Sequence, residues 1–91
     1  MKQFVVTLAF ADGIPGKEVS EAQQAFLAKL HGEGTLVLSG PFSDGAGGMA
    51  ILRCDSLEQA QNIYQNSPLI RSGLATADVR EWNVVWGSIQ R

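Results

Sequence analysis

Apolar and polar positions alternate from the start of the chain. In residues 3–10, Phe4, Val6, Leu8 and Phe10 fall on one side and Val5, Thr7 and Ala9 on the other. Period two predicts a strand with one face fully covered and the other partly covered. Asp12-Gly13-Ile14-Pro15-Gly16 has the chemistry of a loop. The period then lengthens: Val19, Ala22, Phe26, Leu27 and Leu30 recur at helical spacing, predicting a helix that starts between Lys17 and Ser20. Gly32 or Gly34 would end it. Residues 35–42 predict a second strand, with Leu36, Leu38 and Phe42 on one face and Thr35, Val37 and Ser39 on the other. Pro41 cannot donate to a ladder, so that strand ends, bulges or lies at an edge there. The glycine-rich residues 43–48 predict a turn, and residues 49–54 a third strand in a hairpin with the second. Asp55 as N-cap with Glu58 three residues later predicts a second helix, with Leu57, Ala60, Ile63 and Tyr64 as its buried stripe. Asn66-Ser67-Pro68 breaks it, and residues 68–73 suit one short extra turn. Residues 78–86 predict the last strand, with Trp82, Val84 and Trp86 on one face.

The predicted order β-α-β-β-α-β is that of a ferredoxin-like α+β fold, an antiparallel sheet with its helices on one face. The whole chain, residues 1–91, reads as one domain, since 91 residues leave room for little more. The uncovered face carries Val5, Thr7, Val37 and Ser39, a liability for so small a monomer. Packing it on a second copy would bury it, so a homodimer with two-fold symmetry is expected.

Composition narrows the function classes. The apolar fraction is 45% and the mean hydropathy +0.03, as for a globular chain. No apolar run approaches the roughly 20 residues that span a bilayer, and the N-terminus lacks the pattern of a signal peptide. Seven basic against nine acidic residues give a net charge of −2, which argues against a nucleic-acid partner. One cysteine and one histidine exclude an intrachain disulfide and a standard zinc cage. The expected setting is the reducing cytoplasm, with no cofactor, metal or membrane partner.

The stretch Leu30-His31-Gly32-Glu33-Gly34-Thr35-Leu36-Val37-Leu38-Ser39-Gly40-Pro41 is the most distinctive. It is followed by the glycine-rich hairpin, Ser56-Leu57-Glu58-Gln59-Ala60, Ser67-Pro68-Leu69-Ile70-Arg71-Ser72-Gly73-Leu74 and Val79-Arg80-Glu81-Trp82. Together these resemble the YCII-related (YciI-like) family along nearly the whole chain. The resemblance implies a dimeric α+β barrel of ferredoxin-like protomers. It also implies a proton-shuttling pair, a histidine on the first helix and the aspartate of an Asp-Pro dipeptide, beside a small pocket. In this sequence those positions hold Gln23 and Ser67. Neither side chain titrates near pH 7, so the shuttle is not carried over.

No residue stands out as catalytic. Gln23 and Ser67 read either as a neutral hydrogen-bonding pair in the family pocket or as local structure, with Gln23 closing a capping box on Ser20. Ser39, Phe42 and Arg71 complete the candidate ligand-binding set, Phe42 as an apolar wall and Arg71 as a partner for an anion. His31, in the last turn of a helix, reads as a favourable dipole contact. Cys54 beside Asp55 is a poor nucleophile, because a neighbouring carboxylate disfavours the thiolate. Gly45, Gly47 and Gly48 lack the following Lys-Ser/Thr of a phosphate loop. Glu21 points away from Gln23 and reads as a solvated first-turn residue. The expected function is a YCII-like small-molecule-binding protein without the His-Asp shuttle, its ligand a small aromatic or quinone-like metabolite. The alternative is a lyase- or isomerase-type enzyme on such a metabolite, with Ser39, Gln23 and Ser67 orienting a substrate that ionises by itself.

Overall fold

The computed structural model describes residues 1–11 and 15–87. The Asp12-Gly13-Ile14 part of the expected loop lies outside the described residues. The elements in chain order are β1 (Lys2–Phe10), α1 (Lys17–Gly32), β2 (Leu36–Pro41), β3 (Gly47–Cys54), α2 (Leu57–Gln65), α3 (Pro68–Arg71) and β4 (Ala75–Glu81). The four strands form one antiparallel sheet in the order β2-β3-β1-β4. This is the ferredoxin-like arrangement expected from the element order.

One sheet face makes the core. Phe4, Val6 and Leu8 of β1, Ala50 and Leu52 of β3 and Leu36 of β2 pack with Leu30, Ala60, Tyr64 and Leu69 from the helices. The rings of Phe26 and Tyr64 meet edge to face, with centroids 5.6 Å apart. Two helices end in the same motif. Thr35 N–H donates to the Leu30 carbonyl and Gly34 N–H to the His31 carbonyl after α1; Leu74 and Gly73 do the same to Leu69 and Ile70 after α3. Gly34 and Gly73 sit at φ of +82° and +77°, where a side chain would be strained.

Three expectations for the helices are corrected. Ser56, not Asp55, caps α2: its hydroxyl accepts from Gln59 N–H at 3.1 Å, and Gln59 Oε1 accepts from Asp55 N–H at 2.8 Å. The reciprocal cap exists, one residue later than expected, because Gln59 reaches back where Glu58 does not. On α1, Ala22 is exposed and Gln23 is buried, so the inward stripe is Val19, Gln23, Phe26, Leu27 and Leu30. On α2, Leu57 is exposed.

The strand pattern changes too. In β2, Leu36 opposes Leu52 but Leu38 opposes Ile51, so Val37 is an extra residue, a bulge. A one-residue insertion inverts the alternation beyond it. Leu38 therefore turns to the open face with Ile51 and Val5, and Ser39 turns to the helix side opposite Ala50. The last strand runs from Ala75 to Glu81, not over residues 78–86. Glu81 already faces Phe4, and after Trp82 N–H donates to the Gln3 carbonyl at 2.8 Å little of β1 remains to pair with. Trp82, Val84, Val85 and Trp86 are exposed.

Candidate functional site

A cavity of about 360 Å³ opens where α1 crosses the end of the sheet. Leu8 and Phe10 of β1 and Gly48 and Met49 of β3 form its floor. Ser39, Gly40 and Pro41 of β2 form one wall, Ser20, Gln23, Gln24 and Leu27 of α1 another, and Tyr64 and Leu69 close its inner end. Close strand packing shapes the floor. A Cβ on Gly47 would collide with the Leu8 carbonyl oxygen, and one on Gly48 would sit 2.8 Å from the Gly40 carbonyl oxygen. The bulge at Val37 is what turns Ser39 into this wall.

The polar centre of the cavity is Gln23, only 6% exposed. Helix α1 starts at Lys17, so Ser20 is already inside it and closes no capping box with Gln23. The Gln23 side chain instead turns inward, where its Oε1 accepts from the Ser67 hydroxyl at 2.7 Å and from Leu69 N–H at 3.4 Å. Ser67 is fully buried behind it. Its backbone is held on both sides, its N–H donating to the Tyr64 carbonyl and its carbonyl accepting from Arg71 N–H. Pro68 fits the first position of α3, where a missing N–H costs nothing. The break between α2 and α3 thus places a rigid hydroxyl opposite α1.

Tyr64 brings a third buried polar group to the site. Its hydroxyl has no hydrogen-bond partner among the described residues. Burial pushes its phenol up to about 12 from the usual value near 10, while the nearby Gln23 side chain opposes the shift. The phenol is therefore a neutral donor across the ordinary pH range. Among the described residues the cavity lining carries no charged side chain.

The other candidates fall elsewhere. Phe42 is exposed and does not line the cavity. Arg71 is exposed, and its guanidinium donates to Asn66 Oδ1 at 3.3 Å. Cys54 is buried; that burial, aided by Asp55, raises its thiol pKa. His31 lies in the last turn of α1, beside a shallower depression of about 390 Å³. Among the described residues no group of His, Cys, Asp or Glu could hold a metal ion, and no helix is long and apolar enough to cross a membrane.

The buried Gln23–Ser67 pair sits on a fold shared with known proteins. A profile of the YCII-related domain matches residues 5–83. The chain belongs to the YCII-related family. Uncharacterized protein YjpA of Bacillus subtilis (strain 168) is 41% identical over 59 residues, 65% of this chain and 69% of that one. Among solved structures, 5-chloro-2-hydroxyhydroquinone dehydrochlorinase (TftG) from Burkholderia phenoliruptrix AC1100, in complex with 2,5-dihydroxybenzoquinone, superposes with a TM-score of 0.71. It is 20% identical, and the match covers 89% of this chain and 93% of that one, a likeness of fold. Sequence reading missed Tyr64 as part of this YCII-related cavity, because a tyrosine on a helical stripe reads as core. The signal that marks Gln23 is a polar residue four positions after Val19 in an apolar stripe.

Proposed function

We propose that this YCII-related protein binds a small aromatic or quinone-like metabolite in the cavity between α1 and the sheet, and that it lacks the family's His-Asp proton shuttle. The observation that carries the reading is the 2.7 Å hydrogen bond between buried Ser67 and Gln23. These are the two positions at which the family resemblance puts the aspartate and the histidine. Their neutral replacements keep the pairing and lose the titration, so the site orients a ligand without moving its proton. The quinone complex of the structural neighbour supports the ligand class. In this reading Gln23 and Ser39 touch the ligand and Ser67 holds Gln23 in place. Calorimetric titration with 2,5-dihydroxybenzoquinone tests it: saturable binding that Gln23→Leu abolishes is expected. Binding unaffected by that substitution would place the ligand elsewhere.

The working unit in this proposal is a cytoplasmic homodimer. On the face without helices, Leu38 is 42% exposed. Beyond β4, Val85 and Trp86 are 83% and 90% exposed. Apolar surface of this kind favours association with a second copy.

A further inference from the structure

The Gln23 carboxamide has a fixed orientation. Its oxygen accepts from Ser67 and Leu69, both donors, so its amino group is the end left over. That amino group can only donate. The Gln23 side chain lies near enough to Tyr64 to lower its phenol pKa as a hydrogen-bond donor would, yet no hydrogen bond of good geometry joins them, and the buried Tyr64 hydroxyl in the same cavity has no partner among the described residues. A buried hydroxyl left unbonded is costly, and a bond to a ligand recovers that cost. Of the other lining side chains that can accept, Ser20, Gln24 and Ser39 belong to exposed residues.

Resting on the binding function above, we propose that Tyr64 and Gln23 form a pair of neutral hydrogen-bond donors that select a ligand by an oxygen acceptor on its ring, a quinone or ketone carbonyl or an ionised phenol. The inner end of the cavity then rejects a ring of the same shape that has no such oxygen, because both donors would stay unbonded. An apolar floor and an inner end that offers an O–H and an N–H donor together fit a flat ring entering with its oxygen first.

Three probes test this by NMR titration of the full chain: 2,5-dihydroxybenzoquinone, acetophenone, and α-methylstyrene, which replaces the acetophenone oxygen by a methylene. The wild type is expected to prefer acetophenone over α-methylstyrene. Tyr64→Phe should weaken 2,5-dihydroxybenzoquinone and acetophenone by about tenfold each and leave α-methylstyrene unchanged. The ligand-free variant should melt no lower than the wild type, since the hydroxyl has no partner to lose. Should Tyr64→Phe not fold, Gln23→Met reports the same selectivity through the other donor. If the wild type binds 2,5-dihydroxybenzoquinone in the cavity but Tyr64→Phe binds it equally, the donor pair is wrong and the binding function stands. An equal loss for α-methylstyrene, or a lower melting temperature of the free variant, also overturns it. A wild type that binds none of the probes overturns both.

Discussion

Gln23 is a polar residue in an apolar helical stripe, and its burial is sustained by Ser67. Ser67→Ala leaves the amide oxygen with one long bond to Leu69 N–H, at 3.4 Å. An expected loss of about 1–3 kcal/mol follows, read by chemical denaturation. Tyr64 acts on pH. Its phenol stays neutral to about pH 12 in the folded chain and only to about 10 in the unfolded one. The folded state thus holds a proton that the unfolded state releases. The contribution is complete below pH 10 and is lost as pH rises toward 12, amounting to about 2–3 kcal/mol for a shift of two units. Denaturation at several alkaline pH values should show Tyr64→Phe lacking this part of the decline. The double variant Gln23→His with Ser67→Asp should make ligand affinity vary with pH between about 5 and 8, where an imidazole titrates. A pH-independent affinity would mean that these positions do not face the ligand.

Elements place these residues, and some of the placement was legible in the sequence. The order of strands and helices followed from period and turn chemistry. The buried face of β1 followed from Phe4, Val6 and Leu8. The reversal of β2 did not, because a bulge is a pairing event between strands and Val37 carries no local mark of it. That reversal is what puts Ser39 in the cavity. The end of β4 was equally hidden: Trp82, Val84 and Trp86 have strand character, but β1 offers them little left to pair with. Its true start, Ala75-Thr76-Ala77, is too small to announce itself. The Gly47 contact with β1 yields a direct test. Gly47→Ala drives a methyl against the Leu8 carbonyl and should cost about 1–3 kcal/mol in thermal or chemical unfolding.

The whole molecule joins a sheet face covered by helices, which carries a cavity, to a face without helices on which Leu38 is exposed. The resemblance seen in the sequence and the profile match over residues 5–83 agree on the family. The cavity's inner chemistry needed three dimensions, since Gln23 and Ser67 are 44 residues apart and meet only when α3 packs on α1. Twice the chain mass of 9.8 kDa is expected in solution by light scattering. Leu38→Lys, at a side chain already 42% exposed in the protomer, should reduce that to a single chain without unfolding it.

The central claim is that a quinone-like ring enters the cavity and meets Gln23. Titrating isotope-labelled protein with 2,5-dihydroxybenzoquinone, while following the Gln23 side-chain amide together with the backbone of Ser39 and Gly48, addresses it most directly. Saturable shifts concentrated at those three positions are predicted. Shifts absent there, or gathered instead around His31 or Trp86, would contradict it.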